Sequence, residues 1–341
     1  IWIVNLLLTV VTLGAYSAWA KVRKTRYFWQ NTQLDGHRFD YHGDPWAILR
    51  GRLLALVLLA AYTWGFDISQ AVGLATIGVL CVAAPWLFLR AQEFKLRNTS
   101  YRGLRFGFDA TAREAYVRLL PLPLIWFSGV VVTALTDAPE SLILTLSGAT
   151  LLAFPWMHHR LKAFQHVHAY YGGLHARFDP VTNSFYNAYF IGSVMLVLVS
   201  IGLVLLLMAL MSLAGAGMMR DVGFVIGIAA GMLAYAVVWP FMAVRLQRAV
   251  WTHTTFGPVR FWTYIASGEL LRLVLSCMAL TLVTCGLYWP YAAVRLARYR
   301  IQCIELRSPL PLRELAAGVQ PAARRAGGDG AADLFGLDIG L

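Results

Sequence analysis

Long apolar runs without charge constrain this chain more than any other feature. Ile68 to Leu89 is 22 residues without a charge, Val222 to Val244 is 23 and Phe185 to Met219 is 35. A helix rises about 1.5 Å per residue, so about 20 such residues cross the hydrocarbon core of a bilayer. Leu119 to Thr136 and Ser141 to Met157 sit near the lower limit for a span. Leu53 to Phe66 is shorter and borrows a turn from Trp46 to Arg52, whose arginines can snorkel to the interface. Composition agrees: 59% of the 341 residues are hydrophobic and 13% are charged, where a soluble domain carries about 25% charged residues. Disordered, collagen-like and disulfide-scaffold chains are excluded on the same grounds. The expected fold is an all-α polytopic membrane protein with six transmembrane helices.

Two more apolar segments are ambiguous by length. Ile1 to Trp19 and Leu273 to Trp289 each contain a Gly followed by aromatics, Gly14-Ala15-Tyr16 and Gly286-Leu287-Tyr288-Trp289. Each reads as a short span or as a re-entrant segment. A single crossing at the second would export the seven arginines between Arg295 and Arg325. Six spans plus two short or re-entrant segments is therefore expected, with eight spans as the alternative. Ile1 already stands in an apolar stretch and no signal peptide is visible, so a natural beginning further upstream is expected.

The ends of the apolar runs repeat. Anchored on Ala18, Pro85, Pro155, Pro240 and Pro290, every copy has an arginine five positions on: Arg23, Arg90, Arg160, Arg245 and Arg295. Thirteen positions on come Asn31, Asn98, His168, His253 and Cys303. An arginine stands at twenty in three copies, Arg38, Arg105 and Arg260, and is displaced by two in another, Arg177. Thr9 to Tyr27 also aligns without gaps to Thr281 to Tyr299. Trp19, Trp86, Trp156, Trp239 and Trp289 mark the membrane boundary as an aromatic belt. The expected box is a helix bent at its Pro, a basic amphipathic stretch, a Gly turn and a short strand. Residues 1–308 then form a single membrane domain with five boxes, at about 18–40, 85–107, 155–178, 240–262 and 290–308. Residues 309–341 form a flexible tail whose end, ADLFGLDIGL, reads as a frayed terminus before a docking peptide.

Charge sets the orientation. The connections opposite the boxes hold Asp67, Asp137, Glu140 and Asp221 against Arg220, while every other Lys and Arg lies in the boxes, their flanks or the C-terminal region. The positive-inside rule places the boxes in the cytoplasm. The net charge of +12 is then read as basic flanks facing anionic lipid. Nucleic acid is not an expected partner, because no motif for it is present. Cys81, Cys277, Cys285 and Cys303 form no CxxC pair and read as buried free thiols.

Chemistry-bearing constellations are few. The five arginines at the fifth position are candidates for binding lipid or another anion, since guanidinium forks suit phosphate and carboxylate; snorkelling is the plainer reading of each. His159, His166 and His168 are the weak candidates for a metal site. No HExxH accompanies them, no acid lies between Glu140 and Asp179, and no metal or other cofactor is expected. Serine-nucleophile, P-loop and dinucleotide patterns are absent. The six expected spans carry no Asp, Glu, Lys or Arg at their centres, which counts against a coupled carrier.

The first box, TLGAYSAWAKVRKTRYFWQNTQLDGHRFDYHG, with the later W-P-x4-R boxes and the acidic LFGLDIGL end, resembles the YjgN family of bacterial inner-membrane proteins. The resemblance covers nearly the whole chain. It implies a multi-pass inner-membrane protein with no assigned enzymatic activity, and a membrane metallopeptidase, often encoded beside family members, as a candidate partner. It supplies no catalytic residues. The leading expectation is a non-enzymatic integral membrane protein that holds anionic lipid or a partner protein through its basic boxes. A transporter or channel for a small anionic or amphipathic solute is the alternative, and a metal-dependent membrane enzyme a third.

Overall fold

Side-chain caps set the ends of several helices, among them those that start at Pro45, Gln70 and Ala112. The computed structural model describes residues 2–136, 139–179, 181–214 and 216–309, with the side chains of 210–226 left aside. The acidic connection at Asp137, the side chains of Arg220 and Asp221, and the tail from 310 onward lie outside the described residues. The described chain divides into two compact units: residues 2–179 with 254–259, and residues 181–253 with 260–307.

The first unit opens with α1 (Trp2–Val11), α2 (Ser17–Gln30), β1 (Gln33–Leu34) and β2 (His37–Tyr41). Asp44 caps α3 (Pro45–Ile68) by accepting from the Trp46 N–H, and Pro45 supplies a first helical residue with no N–H to lose. Ser69 then reverses the chain in one residue. Its backbone N–H closes α3 on Gly65, and its side chain accepts from Val72 to start α4 (Gln70–Arg97). The two helices approach closely there, because a Cβ on Gly65 would lie 3.3 Å from the Gly73 Cα. Next come β3 (Thr99–Tyr101) and β4 (Leu104–Phe108), then α5 (Ala112–Leu119), which starts at a Thr111/Glu114 capping box. α6 (Pro121–Leu135) follows at a bend of 44°. α7 (Glu140–Val167), β5 (Ala169–Tyr171), β6 (Leu174–Phe178) and β7 (Thr254–Phe256) complete the unit.

The second unit holds α8 (Thr182–Ala214), α9 (Ala216–Thr252), β8 (Val259–Thr263), α10 (Ser267–Val283), α11 (Trp289–Gln302) and β9 (Ile304–Arg307). Val244, Ile265 and Leu270 form its buried centre. Gln247 and Arg300 lock α9 to α11: the Arg300 Nε donates to the Gln247 Oε1 at 2.9 Å, and the Gln247 Nε2 donates to the Arg300 carbonyl at 3.1 Å. Burial lowers the Arg300 guanidinium from its ordinary value.

Among the described residues five helices are long and apolar enough to cross a membrane, or six if the bent pair α5–α6 is counted as one span. All six coincide with the runs expected from sequence. The prolines do not end their helices: Pro85, Pro155 and Pro240 lie inside α4, α7 and α9. α1 is a short apolar helix of 10 residues, about 15 Å at 1.5 Å per residue and half of the roughly 30 Å hydrocarbon core.

The two ambiguous segments break in the same way. Leu13 and Gly14 have φ of +49° and +92°, and Cys285 and Gly286 have +49° and +90°. Gly14 N–H bonds the Thr9 carbonyl at 2.7 Å, and Gly286 N–H bonds that of Thr281 at 2.8 Å. Thr12 and Thr284 each donate to the carbonyl four residues back at 2.7 Å and accept from the N–H of Tyr16 and Tyr288. The Thr-x-Gly-x-Tyr spacing shared by the gapless match thus dictates one geometry twice.

The boxes do not leave their helices at a Gly turn as expected. α2, α4, α7 and α11 end at the thirteenth position, with Asn31, Asn98, His168 and Cys303 as C-caps, and α9 ends one residue before His253. The side chain does the closing in three of them. Asn31 and Asn98 donate to the carbonyls of Tyr27 and Phe94 at 2.7 and 2.9 Å, and the His253 Nδ1 lies 2.9 Å from the Ala249 carbonyl oxygen. A strand comes next, and the glycine is the hairpin turn: Asp35-Gly36 at φ +48° and +73°, Arg102-Gly103 at +48° and +80°. Positive φ at both central residues is what a two-residue turn matched to strand twist requires. Consecutive hairpins then pair edge to edge. In the first unit β1 to β7 form an antiparallel run in chain order, with Phe39 opposite Tyr101, Phe106 opposite Tyr171 and Phe178 opposite Thr254. In the second unit β8 pairs with β9.

Candidate functional site

Side chains alternate along a strand, so the sheet of the first unit has two chemically different faces. One face meets the helices. Tyr41 is buried with Ala18, Val22 and Phe94, Phe39 lies 5.3 Å from the Trp29 ring, and Phe108 packs on Phe164 of α7. Cross-strand rings tie this face together: Phe39 and Tyr101 stack at 4.7 Å, and Phe106 and Tyr171 approach to 4.8 Å. The Tyr171 hydroxyl donates to the Tyr101 carbonyl and the Tyr101 hydroxyl to that of Leu34. Burial pushes both phenols above their ordinary value.

The opposite face carries the arginines of the twentieth position. Arg38 on β2, Arg105 on β4 and Arg177 on β6 are all exposed, and none makes a hydrogen bond or ion pair to a described residue. The displacement of Arg177 by two residues preserves its face, because the side-chain period of a strand is two. Arg260 on β8 in the second unit is likewise exposed, beside the Trp262, Glu305 and Arg307 group. There the Arg307 guanidinium lies 5.4 Å from the Trp262 ring and donates to Glu305, which holds the Glu305 carboxyl below its usual range.

Three of the five arginines of the fifth position lie against aromatic rings. The Arg90 guanidinium sits 5.6 Å from the Trp86 ring and donates to Glu93 at 2.8 Å. Arg160 lies 4.8 Å from Trp156, and Arg23 lies 5.7 Å from Tyr16. Arg295 is exposed on α11. Arg245 is half-buried on α9. Of the belt tryptophans, Trp86 and Trp289 are exposed, while Trp19, Trp156 and Trp239 pack against buried clusters.

The three histidines do not converge on one point. His159 and His166 face one ring, Phe178, at 5.9 and 5.6 Å. His168 is buried between Phe108 and Phe164, with its Nδ1 3.3 Å from Asp109 Oδ1. His175 approaches the other oxygen of Asp109 at 3.2 Å. Among the described residues no three His, Cys, Asp or Glu side chains are placed to hold a metal ion. The cysteines are free thiols; Cys81 and Cys277 are buried as expected, Cys303 is half-buried, and Cys285 is exposed because it stands in the broken turn after α10.

A concave site opens on the outer face where the first two hairpins join. Its volume is about 460 Å³, and Arg38, Arg102, Arg105, His37, His42 and Asp40 line it over Ser100. The register explains the grouping, since Asp40, Ser100 and Arg105 stand opposite one another on β2, β3 and β4. Arg102 of the turn is fixed by Asp35 at 2.5 Å. The signal that could have pointed here was the even spacing of the twentieth-position arginines within their strands.

A family model for bacterial proteins of unknown function, DUF898, matches residues 1–334. The chain belongs to this family. Curated relatives place it with the YjgN proteins. It is 29% identical over 129 residues to "Inner membrane protein YjgN" of Salmonella typhimurium, covering 37% of this chain and 32% of that one. It is 29% identical over 136 residues to the protein of that name in Escherichia coli K12, covering 38% and 33%. The chain thus spans about a third of the length of the curated relatives it matches. No solved structure matches it. The relatives' name and the five to six spanning helices make this member of the YjgN family a multi-pass protein of the bacterial inner membrane.

Proposed function

We propose that the chain is a non-enzymatic membrane protein that gathers anionic lipid headgroups at its cytoplasmic boundary. The observation that carries this is the folding of Arg90 and Arg160 over Trp86 and Trp156, one turn earlier on spanning helices. A tryptophan at the boundary with a guanidinium over its face puts a donor group at headgroup level. At Arg90 that group is shared with Glu93, and at Arg160 it has no acid partner among the described residues. The sorting of Lys and Arg to the box side supports a cytoplasmic placement. The recurrence of helix, cap and hairpin supports a chain built from repeated exits. Two matched breaks support α1 and α10 as segments that enter the membrane without crossing it.

Alanine replacement of Arg23, Arg90, Arg160 and Arg245 together tests the reading. Native mass spectrometry of the intact protein, released from membranes containing phosphatidylglycerol, is expected to show lost anionic-lipid adducts with zwitterionic adducts unchanged. Equal anionic-lipid occupancy in the variant and the parent refutes the proposal.

A further inference from the structure

We propose that the concave site on the outer face of β2, β3 and β4 binds a phosphate ester that carries neighbouring hydroxyl groups. The site does not rest on the lipid reading, because its arginines are two of the twentieth position and Arg102 of a hairpin turn, not the boundary set.

Its donor set points to the ligand. Three arginines, one aspartate, two histidines and Ser100 line one cavity. Arg38 and Arg105 extend from alternate strands and have no partner among the described residues. Neighbouring strands lie about 4.8 Å apart, so the two backbones are about 10 Å from each other. That gap suits two guanidiniums converging on one phosphate, which takes bidentate donors from more than one direction. Arg102 is held in place by Asp35 and by the Tyr101 ring 5.7 Å away, yet its Nε is buried with no acceptor.

Asp40 makes the site more than a basic patch. Its carboxylate accepts from Gln30 Nε2 at 3.1 Å and from the Tyr41 N–H at 2.8 Å, and lies 3.8 Å from His42. His42 Nε2 and Ser100 Oγ are 2.9 Å apart. An acceptor fixed beside cationic donors repels a bare polyanion and accepts from a hydroxyl. A phosphorylated polyol satisfies both requirements, as a free molecule or as the glycerophosphate headgroup of a lipid. The cavity of about 460 Å³ has room for either.

The experiment uses the full chain in nanodiscs. In neutral phosphatidylcholine discs, glycerol 3-phosphate and inorganic phosphate are titrated calorimetrically; lipid binding is read by native mass spectrometry after reconstitution with phosphatidylglycerol. Saturable binding of glycerol 3-phosphate in neutral discs supports a soluble ligand, and selective retention of phosphatidylglycerol supports the headgroup. Arg38→Gln with Arg105→Gln is expected to weaken whichever is bound by about 10-fold or more, the loss of two charge-assisted contacts. Arg177→Gln, on the same face but outside the cavity, is expected to stay within about 2-fold of the parent. Asp40→Asn is expected to abolish the preference for glycerol 3-phosphate over inorganic phosphate. Absence of saturable binding to any of the three probes overturns the proposal, as does an equal loss in Arg177→Gln. An unaltered preference in Asp40→Asn overturns the hydroxyl assignment.

Discussion

Replacing Gly286 by Ala isolates a backbone cost, because a Cβ there meets nothing within 4 Å while φ is +90°. No contact is lost and none is gained. What remains is the penalty for holding an L-residue in the left-handed region, about 1–2 kcal/mol. The same arithmetic applies to Gly14 at φ +92°, also in open space. Cys285, at φ +49° and exposed, already bears such a penalty. Cys285→Gly relieves it at the expense of about 0.5–1 kcal/mol of chain entropy, so its net effect is near zero or stabilising. Gly78→Ala inside α4, where a Cβ likewise meets nothing within 4 Å, serves as the helical control and gains about 0.5–1 kcal/mol. Thermal unfolding of the detergent-solubilised protein, followed by circular dichroism, ranks the variants. Gly14→Ala and Gly286→Ala should each lower the midpoint, and Cys285→Gly and Gly78→Ala should not. A Gly286→Ala variant as stable as the parent would refute the argument that backbone conformation imposes the matched breaks.

Other expectations follow from single contacts. Asn98→Ala removes a 2.9 Å bond to the Phe94 carbonyl at the end of α4 and should destabilise by about 0.5–1.5 kcal/mol in chemical unfolding. A double-mutant cycle on Trp156 and Arg160, 4.8 Å apart, should give a coupling of about 0.5–1 kcal/mol in thermal unfolding, and a coupling of zero would deny the ring contact. Gly107→Val drives a side chain into the Tyr170 ring, which an added Cβ would overlap; the loss of stability should be relieved when Tyr170→Ala is combined with it. Single cysteines placed at Lys21 and Arg97 should react with a membrane-impermeant maleimide only after the cytoplasmic side is opened, and labelling of intact spheroplasts would reverse the orientation.

The spanning runs were legible because burying apolar length in a bilayer is a one-dimensional problem. Six runs read from sequence match the five helices and one bent pair. Caps were legible only as a recurring position: Asn31, Asn98 and His253 share the thirteenth place, and their closing bonds follow from helix geometry. The histidines, weak metal candidates from sequence, have aromatic neighbours instead. His159 and His166 do share a face, and it meets the Phe178 ring.

The sequence by itself determined the membrane class, the recurring exits and the spacing of the arginines, since these depend on neighbours in the chain. Tertiary structure alone decided which arginines are occupied. Arg90 and Arg160 reach rings one helical turn away, whereas Arg38 and Arg105 line one cavity only because separate hairpins pair in one register. That register is set by contacts between residues about sixty positions apart, such as Asp40 and Ser100, which no local pattern encodes.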